Sequence, residues 1–179
     1  RKLVKSQILS FMRERLKNIL LDKKYKDDII DSVLSPRIGS FDRLGKKLED
    51  LSSISQAKYF LEAAKVIERI SNILKGAKDF KREDAKVRAE LFKEQLENEL
   101  WDIYGKQKEK IEGRIEAGDY AGATKLYAEA FSGPIHLFFE KVTVNADDQA
   151  LRFNRLSLLR AIQAVYSDKA ADLSKIKLQ

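Results

Sequence analysis

An arginine in the middle of an apolar helix face constrains this chain more than any other feature. From Leu151 the apolar side chains return at Leu158, Ile162 and Val165, with Leu159 and Tyr166 beside them. That is the 3.6-residue period of a helix with one wide inward face. Arg155 falls between Leu151, Leu158 and Ile162. A guanidinium there has to be paired or reach past the rim of the face, because an unpaired buried charge is too costly. A carboxylate such as Glu140 or Asp148 is the expected partner. Asp147 or Asp148 caps the helix by accepting from its unpaired first-turn N–H groups, and sets negative charge at the positive end of the dipole. Arg152 sits at the edge of the face, placed for solvent or a ligand.

The same period runs through most of the chain. A first helix is predicted from about Val4 to Leu21, with Val4, Ile8, Phe11, Met12, Ile19 and Leu20 inward and Arg13 and Lys17 facing away. After a polar break at Lys23–Lys26, Asp27 or Asp28 starts a short helix carrying Ile29, Ile30, Val33 and Leu34, which Pro36 and Gly39 end. Ser40 caps a third, with Phe41, Leu44, Leu48 and Leu51. Ser53 or Ser55 opens a long helix to Leu74, with Gly76 as its C-cap. Residues 77–92 are polar and broken, ending in Leu91 and Phe92, which are expected to tuck into the core. A helix from about Lys93 to Ala117 follows, marked by Leu96, Leu100, Ile103, Ile111 and Ile115 and stopped by Gly118; Trp101 and Tyr104 are expected to pack between helices. Asp119 caps the next one, Ser132-Gly133-Pro134 breaks it, and a further helix brings Phe138 and Phe139. Asp168 starts a last short helix with Ala171, Leu173 and Ile176. Val142 to Val144 is too short for a sheet. The reading is an all-α bundle of about nine or ten helices.

Composition agrees and excludes. The 179 residues hold two Pro and eight Gly and suffice for one domain with a real core. The chain begins with Arg1, so a fragment of a longer protein is expected. With no Cys there is no disulfide framework and no Cys-based zinc site. No apolar run has membrane length, and a cytoplasmic protein is the default expectation. No Walker loop and no Gly-x-Gly-x-x-Gly after a strand occurs, and His136 is the only histidine. No catalytic constellation and no metal site is therefore expected. The excess of 35 Lys+Arg over 28 Asp+Glu, a net +7, is compatible with nucleic acid. On the long middle helix, Lys58, Lys65, Arg69 and Asn72 fall within one narrow polar strip. Cations along one helical edge can follow a phosphate backbone, and an Asn can read a base. By period alone, an ordinary solvated face is the favoured account of the strip, with Glu62 beside it and Glu68 not far away.

A resemblance adds to this. Phe138-Phe139-Glu140-Lys141-Val142, Ala146-Asp147-Asp148, Ala150-Leu151-Arg152, Asn154-Arg155-Leu156 and Leu158-Leu159 stand in order, with Ala171-Asp172-Leu173-Ser174-Lys175-Ile176 near the end. Together they resemble the C-terminal DALR-type anticodon-binding domain of aminoacyl-tRNA synthetases, in the form carried by the bacterial glycyl-tRNA synthetase beta subunit. Phe11, Arg13, Arg15 and Leu16, then Asp28 to Leu34, then Arg69-Ile70-Ser71-Asn72-Ile73-Leu74, extend the likeness over nearly the whole chain. Three positions depart from the family's pattern: Glu68 replaces a usual Lys, His136 a usual acid, and Phe153 a frequent Asn.

The resemblance implies a helical, non-catalytic domain spanning residues 1–179, a C-terminal piece of a longer subunit, that binds glycine tRNA at its anticodon end. Its implied partners are the alpha subunit and the rest of the beta subunit. ATP and Mg would be used at the alpha subunit, with no cofactor in this chain. The residues expected to touch tRNA are Lys65, Arg69 and Asn72 on the middle helix and Arg152 and Asn154 on the late one, with Arg155 structural. Phe153 points outward, as a stacking platform or as packing for a neighbouring loop. Two other readings remain: the anticodon-binding domain of another synthetase such as the arginyl type, and a helical adaptor that binds protein through an apolar groove.

Overall fold

The computed structural model describes residues 2–35 and 43–178, the side chains of residues 2–6 excepted. Its described residues form seven α-helices and no strand: α1 (Lys2–Asp22), α2 (Asp27–Val33), α3 (Leu44–Ser53), α4 (Lys58–Gly76), α5 (Gln95–Ala117), α6 (Tyr120–Lys141) and α7 (Gln149–Ser167). Three 3₁₀ turns, Arg82–Asp84, Ala89–Leu91 and Leu173–Lys175, complete the order. The all-α expectation holds. The expected Val4 side chain and the signals at Pro36, Gly39, Ser40 and Phe41 lie outside the described residues.

The core sits where α4, α5, α6 and α7 meet. Phe60, Ile67 and Ile70 of α4, Leu100 and Ile111 of α5, Phe131 and Phe138 of α6, and Leu158 and Ile162 of α7 are all fully buried. Tyr127 lies between Phe131 and Tyr166, with ring centroids at 5.0 and 5.5 Å. Burial pushes both phenols up from their ordinary range. Tyr166 keeps a partner, its hydroxyl lying 2.6 Å from Thr124 Oγ1. Gln163 Nε2 donates to Ser71 Oγ at 2.6 Å, joining α7 to α4 through the apolar interior.

Several boundaries follow the sequence. Gly118 closes α5 at φ 80°, a left-handed conformation open to glycine at no cost from a side chain. Asp119 caps α6 by accepting from Gly122 N, and of the two candidates Asp148 caps α7, accepting from Leu151 N at 3.0 Å. Residues 54–57 form a turn, so α4 starts at Lys58, after Ser53 and Ser55.

Three expectations are corrected. No break occurs at Ser132-Gly133-Pro134; α6 runs through Pro134. An interior proline costs about 3 kcal/mol, but Phe131, Ile135 and Phe138 on either side are fully buried and favour a helix that continues past it. Asp168 ends α7 and pairs with Arg160 at 2.6 Å, so no helix starts there; the last turn is a 3₁₀ turn capped by Asp172. These two changes lower the count from nine or ten to seven α-helices. The third correction concerns α1. Ile8, Phe11, Met12 and Ile19 face outward, Phe11 being 62% exposed, and only Leu20 is buried as expected. The helix is turned the other way, with Arg13 and Lys17 half-buried. Lys17 Nζ lies 2.8 Å from Asp27 and 2.6 Å from Asp31 of α2. Arg13, Leu16, Lys17 and Leu20 also recur at helical spacing, and the two α2 carboxylates select that face.

Arg155 is paired as its position demands, but to Glu97 at the start of α5, and to neither Glu140 nor Asp148. Its Nε donates to Glu97 Oε1 at 2.9 Å and its Nη1 to the Thr143 carbonyl at 2.8 Å. Glu97 Oε2 also accepts from the backbone N of Lys93 and Glu94 at 2.8 and 2.7 Å, closing a capping box at the α5 N-terminus. Burial alone would raise the Glu97 carboxyl. The Arg155 guanidinium and the two N–H groups outweigh it and hold the carboxyl below its ordinary range.

Removing one partner strands the other charge in the core, so Glu97→Ala is expected to cost about 3–5 kcal/mol in urea unfolding. Because the folded carboxyl titrates below the unfolded one, its contribution is fully present above a pH of about 4.3, the ordinary glutamate value. It is lost as pH falls through the depressed folded value. Unfolding midpoints followed downward from neutral pH should fall more steeply for the wild type than for a Glu97→Gln, Arg155→Met double variant.

Candidate nucleic-acid interface

The rotation of α4 is fixed by its apolar side. Phe60, Ala63, Ile67 and Ile70 are fully buried against the bundle, which leaves Lys58, Lys65, Arg69 and Asn72 exposed along the opposite edge. Lys58 makes only a loose pair with Glu62, at 3.7 Å. Among the described residues Lys65 and Arg69 form no ion pair. The Arg69 guanidinium instead lies over the Phe139 ring of α6, 4.5 Å from its centroid. That contact orients the group without neutralising it. Between α4 and α6 a cleft of about 370 Å³ opens, lined by Lys65, Arg69, Ser132 and His136, with Glu62 as its acid. His136 is exposed and has Nε2 3.3 Å from Glu140. On its other side Lys65 borders a cleft of about 650 Å³ shared with α2 and the C-terminal tail, where Lys26, Asp27, Asp28 and Lys177 also stand, Lys177 being paired to Asp27 at 3.3 Å. The strip offers phosphates a row of cations along one edge, of which Arg69 is braced on Phe139.

The other two expected contacts are placed elsewhere. Arg152 donates from Nη1 and Nη2 to the two carboxylate oxygens of Asp79 at 2.7 and 2.9 Å, and from Nε to Asn145 Oδ1 at 3.3 Å. The guanidinium holds the Asp79 carboxyl below its ordinary range. Asn154 is buried. Its Oδ1 accepts from Arg88 N at 2.7 Å and its Nδ2 donates to Arg88 O at 2.9 Å. Both side chains thus fasten the 78–92 loop to α7. Lys65, Arg69 and Asn72 share one edge of α4, while Arg152 and Asn154 belong to this second group.

Phe153 packs on the same loop, its ring tilted 58° to Phe80 with centroids 6.1 Å apart. Lys81, Lys86 and Arg88 are exposed around it. These loop cations were not singled out from sequence, although the run Lys78-Asp79-Phe80-Lys81-Arg82, followed by Lys86 and Arg88, carries the signal in its composition. Trp101 and Tyr104 stack on each other along α5 at 4.8 Å and 9°, half-buried against the core. Among the described residues there is no group of three His, Cys, Asp or Glu placed to hold a metal ion. No helix is long and apolar enough to cross a membrane.

Comparison with known proteins gives this geometry its setting. Relatives of similar sequence are glycine–tRNA ligase beta subunits. That of Moorella thermoacetica is 34% identical over 159 residues, 89% of this chain and 22% of the relative. That of Syntrophus aciditrophicus is 30% identical over 172 residues, 96% of this chain and 24% of the relative. That of Paracidovorax citrulli is 30% identical over 171 residues, 96% and 23% respectively. The chain therefore spans under a quarter of the length of these relatives. Residues 64–173 match the model of the DALR anticodon binding domain. That range takes in both groups of expected contacts and most of the buried core, and the chain belongs to the DALR anticodon binding domain family.

Proposed function

We propose that this chain is the tRNA-docking piece of a glycine–tRNA ligase beta subunit, acting in the cytoplasm beside the rest of that subunit and the alpha subunit. The alpha subunit would carry out the ATP- and Mg-dependent glycylation, and this chain would supply no catalytic group. The exposed edge of α4 carries the proposal: Lys65 and Arg69 stand without ion pairs among the described residues, Arg69 is braced on Phe139, and Asn72 follows one turn on. Phosphates of the anticodon stem would lie along this edge, which positions the RNA, and Asn72 would be the group that reads a base. Arg152 and Asn154 act at one remove, through the loop they hold. A second reading, a helical protein-docking module, is favoured by the outward apolar face of α1 at Ile8, Phe11, Met12 and Ile19.

Binding of the chain to glycine tRNA, and to a copy with altered anticodon bases, across a salt series separates the two. Affinity that falls with salt and falls again with the anticodon changes is expected. Arg69→Ala should weaken tRNA binding about tenfold, the worth of one charge-assisted contact. It should also reduce the slope of log affinity against log salt by about one, with helicity unchanged. Unchanged affinity in Arg69→Ala would sink the assignment of the α4 edge. Absence of binding at low salt would favour the protein-docking reading.

A further inference from the structure

Between the 79–88 loop and the start of α7 lies a cleft of about 550 Å³, separate from the one between α4 and α6. Its size is within the roughly 300–1,000 Å³ of small-ligand sites. Phe80 and Phe153 form its apolar wall, and Lys81, Lys86 and Arg88 its basic rim. From its place in the fold and its chemistry we infer that this cleft seats one unstacked nucleotide of the bound RNA, by stacking and phosphate contact, without reading which base it is. The inference rests on the tRNA-binding reading and adds a second contact to it.

Three observations lead there. First, the aromatic wall is pre-set. The Arg152 guanidinium lies 5.5 Å from the Phe153 centroid and is fixed by its two-pronged bond to Asp79, the residue before Phe80. One ion pair thus braces both rings, so little side-chain freedom is lost when a base arrives. Second, the charge left over is positive. Asp79 is neutralised by Arg152, which leaves Asp84 as the one acid lining the cleft, against Lys81, Lys86 and Arg88. Third, the group that would read a base edge is occupied. Asn154 lines the cleft, but its carbonyl oxygen and its amino group are both engaged by the Arg88 backbone. A base seated here meets a π-face and cations, and stacking of that kind tolerates any base. The seat follows the strip closely in the chain: α4 ends at Gly76, and Asp79 and Phe80 come three and four residues on.

The test uses the whole chain and glycine tRNA carrying 2-aminopurine at single unpaired positions of the anticodon loop. On binding, the fluorescence of one position is expected to change. In Phe153→Ala that change should vanish and affinity should drop about tenfold, the scale of one base–aromatic stack, while Phe153→Trp should keep both. Exchanging the natural base at that position should alter affinity less than about threefold, as sequence-tolerant stacking requires. Should Phe153→Ala lose helicity, Lys86→Glu, at an exposed rim position, serves instead and is expected to weaken binding and flatten the salt slope. Unchanged affinity and fluorescence in these variants, while Arg69→Ala still weakens binding, would overturn the cleft and leave tRNA docking standing. Strong dependence on base identity at the reporting position would overturn the base-indifferent seat. Failure of the wild-type chain to bind tRNA at low salt would overturn both readings.

Discussion

The buried pair of Glu97 and Arg155 is the contact on which the rest of the bundle's C-terminal half depends. The Glu97 carboxylate accepts from Lys93 N and Glu94 N and so fixes where α5 begins. It also takes the Arg155 guanidinium, whose remaining arm reaches the Thr143 carbonyl in the link between α6 and α7. Three segments distant in sequence are held by one side chain from each of two helices. An ion pair in the core is weak evidence for net stability, since its desolvation opposes its attraction. Its effect here is on register, because a rotation of α7 that parted the pair would leave a buried charge unpaired. With Arg155 turned inward, the 100° step of a helix turns Asn154 to the Arg88 backbone and Phe153 out onto Phe80. The cleft beside α7 is a consequence of where the buried arginine points.

The fold was legible where a signal is local. Gly118, Asp119 and Asp148 act through groups within a few residues of themselves, and the structure keeps all three. Where two local signals compete, the sequence alone does not choose. α1 carries two faces at helical spacing, and the one turned to the bundle sets Lys17 on Asp27 and Asp31 of α2, groups the α1 sequence does not contain. A rule that puts the more apolar face inward picks Ile8, Phe11 and Met12, whereas the structure turns Leu16 and Leu20 to the core with Lys17 beside them on the α2 carboxylates. Likewise Pro134 is a breaker by local rule, yet the burial of Phe131, Ile135 and Phe138 acts on both sides of it and prevails.

The candidate site divides the same way. The α4 edge was legible because the opposite face of that helix is apolar without ambiguity, so exposure of Lys58, Lys65, Arg69 and Asn72 follows from period alone. The roles of Arg152 and Asn154 were not legible, because their partners Asp79 and Arg88 lie 73 and 66 residues away. A surface arginine and a ligand-facing arginine look alike in sequence until the acid that claims one of them is placed. The same holds for Arg155, for which a carboxylate was required by physics but named wrongly. Its true partner lies 58 residues back, at the start of another helix.

These pairings change what the net charge of +7 means. Arg152, Arg155, Arg160 and Lys17 each answer a named carboxylate, and their charge is committed to the fold. Lys65 and Arg69 on α4, with Lys81, Lys86 and Arg88 on the loop, form no ion pair among the described residues. Part of the excess therefore stands uncommitted on the α4 edge and on the loop that follows α4 in the chain. A polyanion approaching either stretch meets cations that no carboxylate has claimed among the described residues. Counterion release follows from the cations a phosphate can reach. The local arrangement, more than the total, sets how steeply binding would depend on salt.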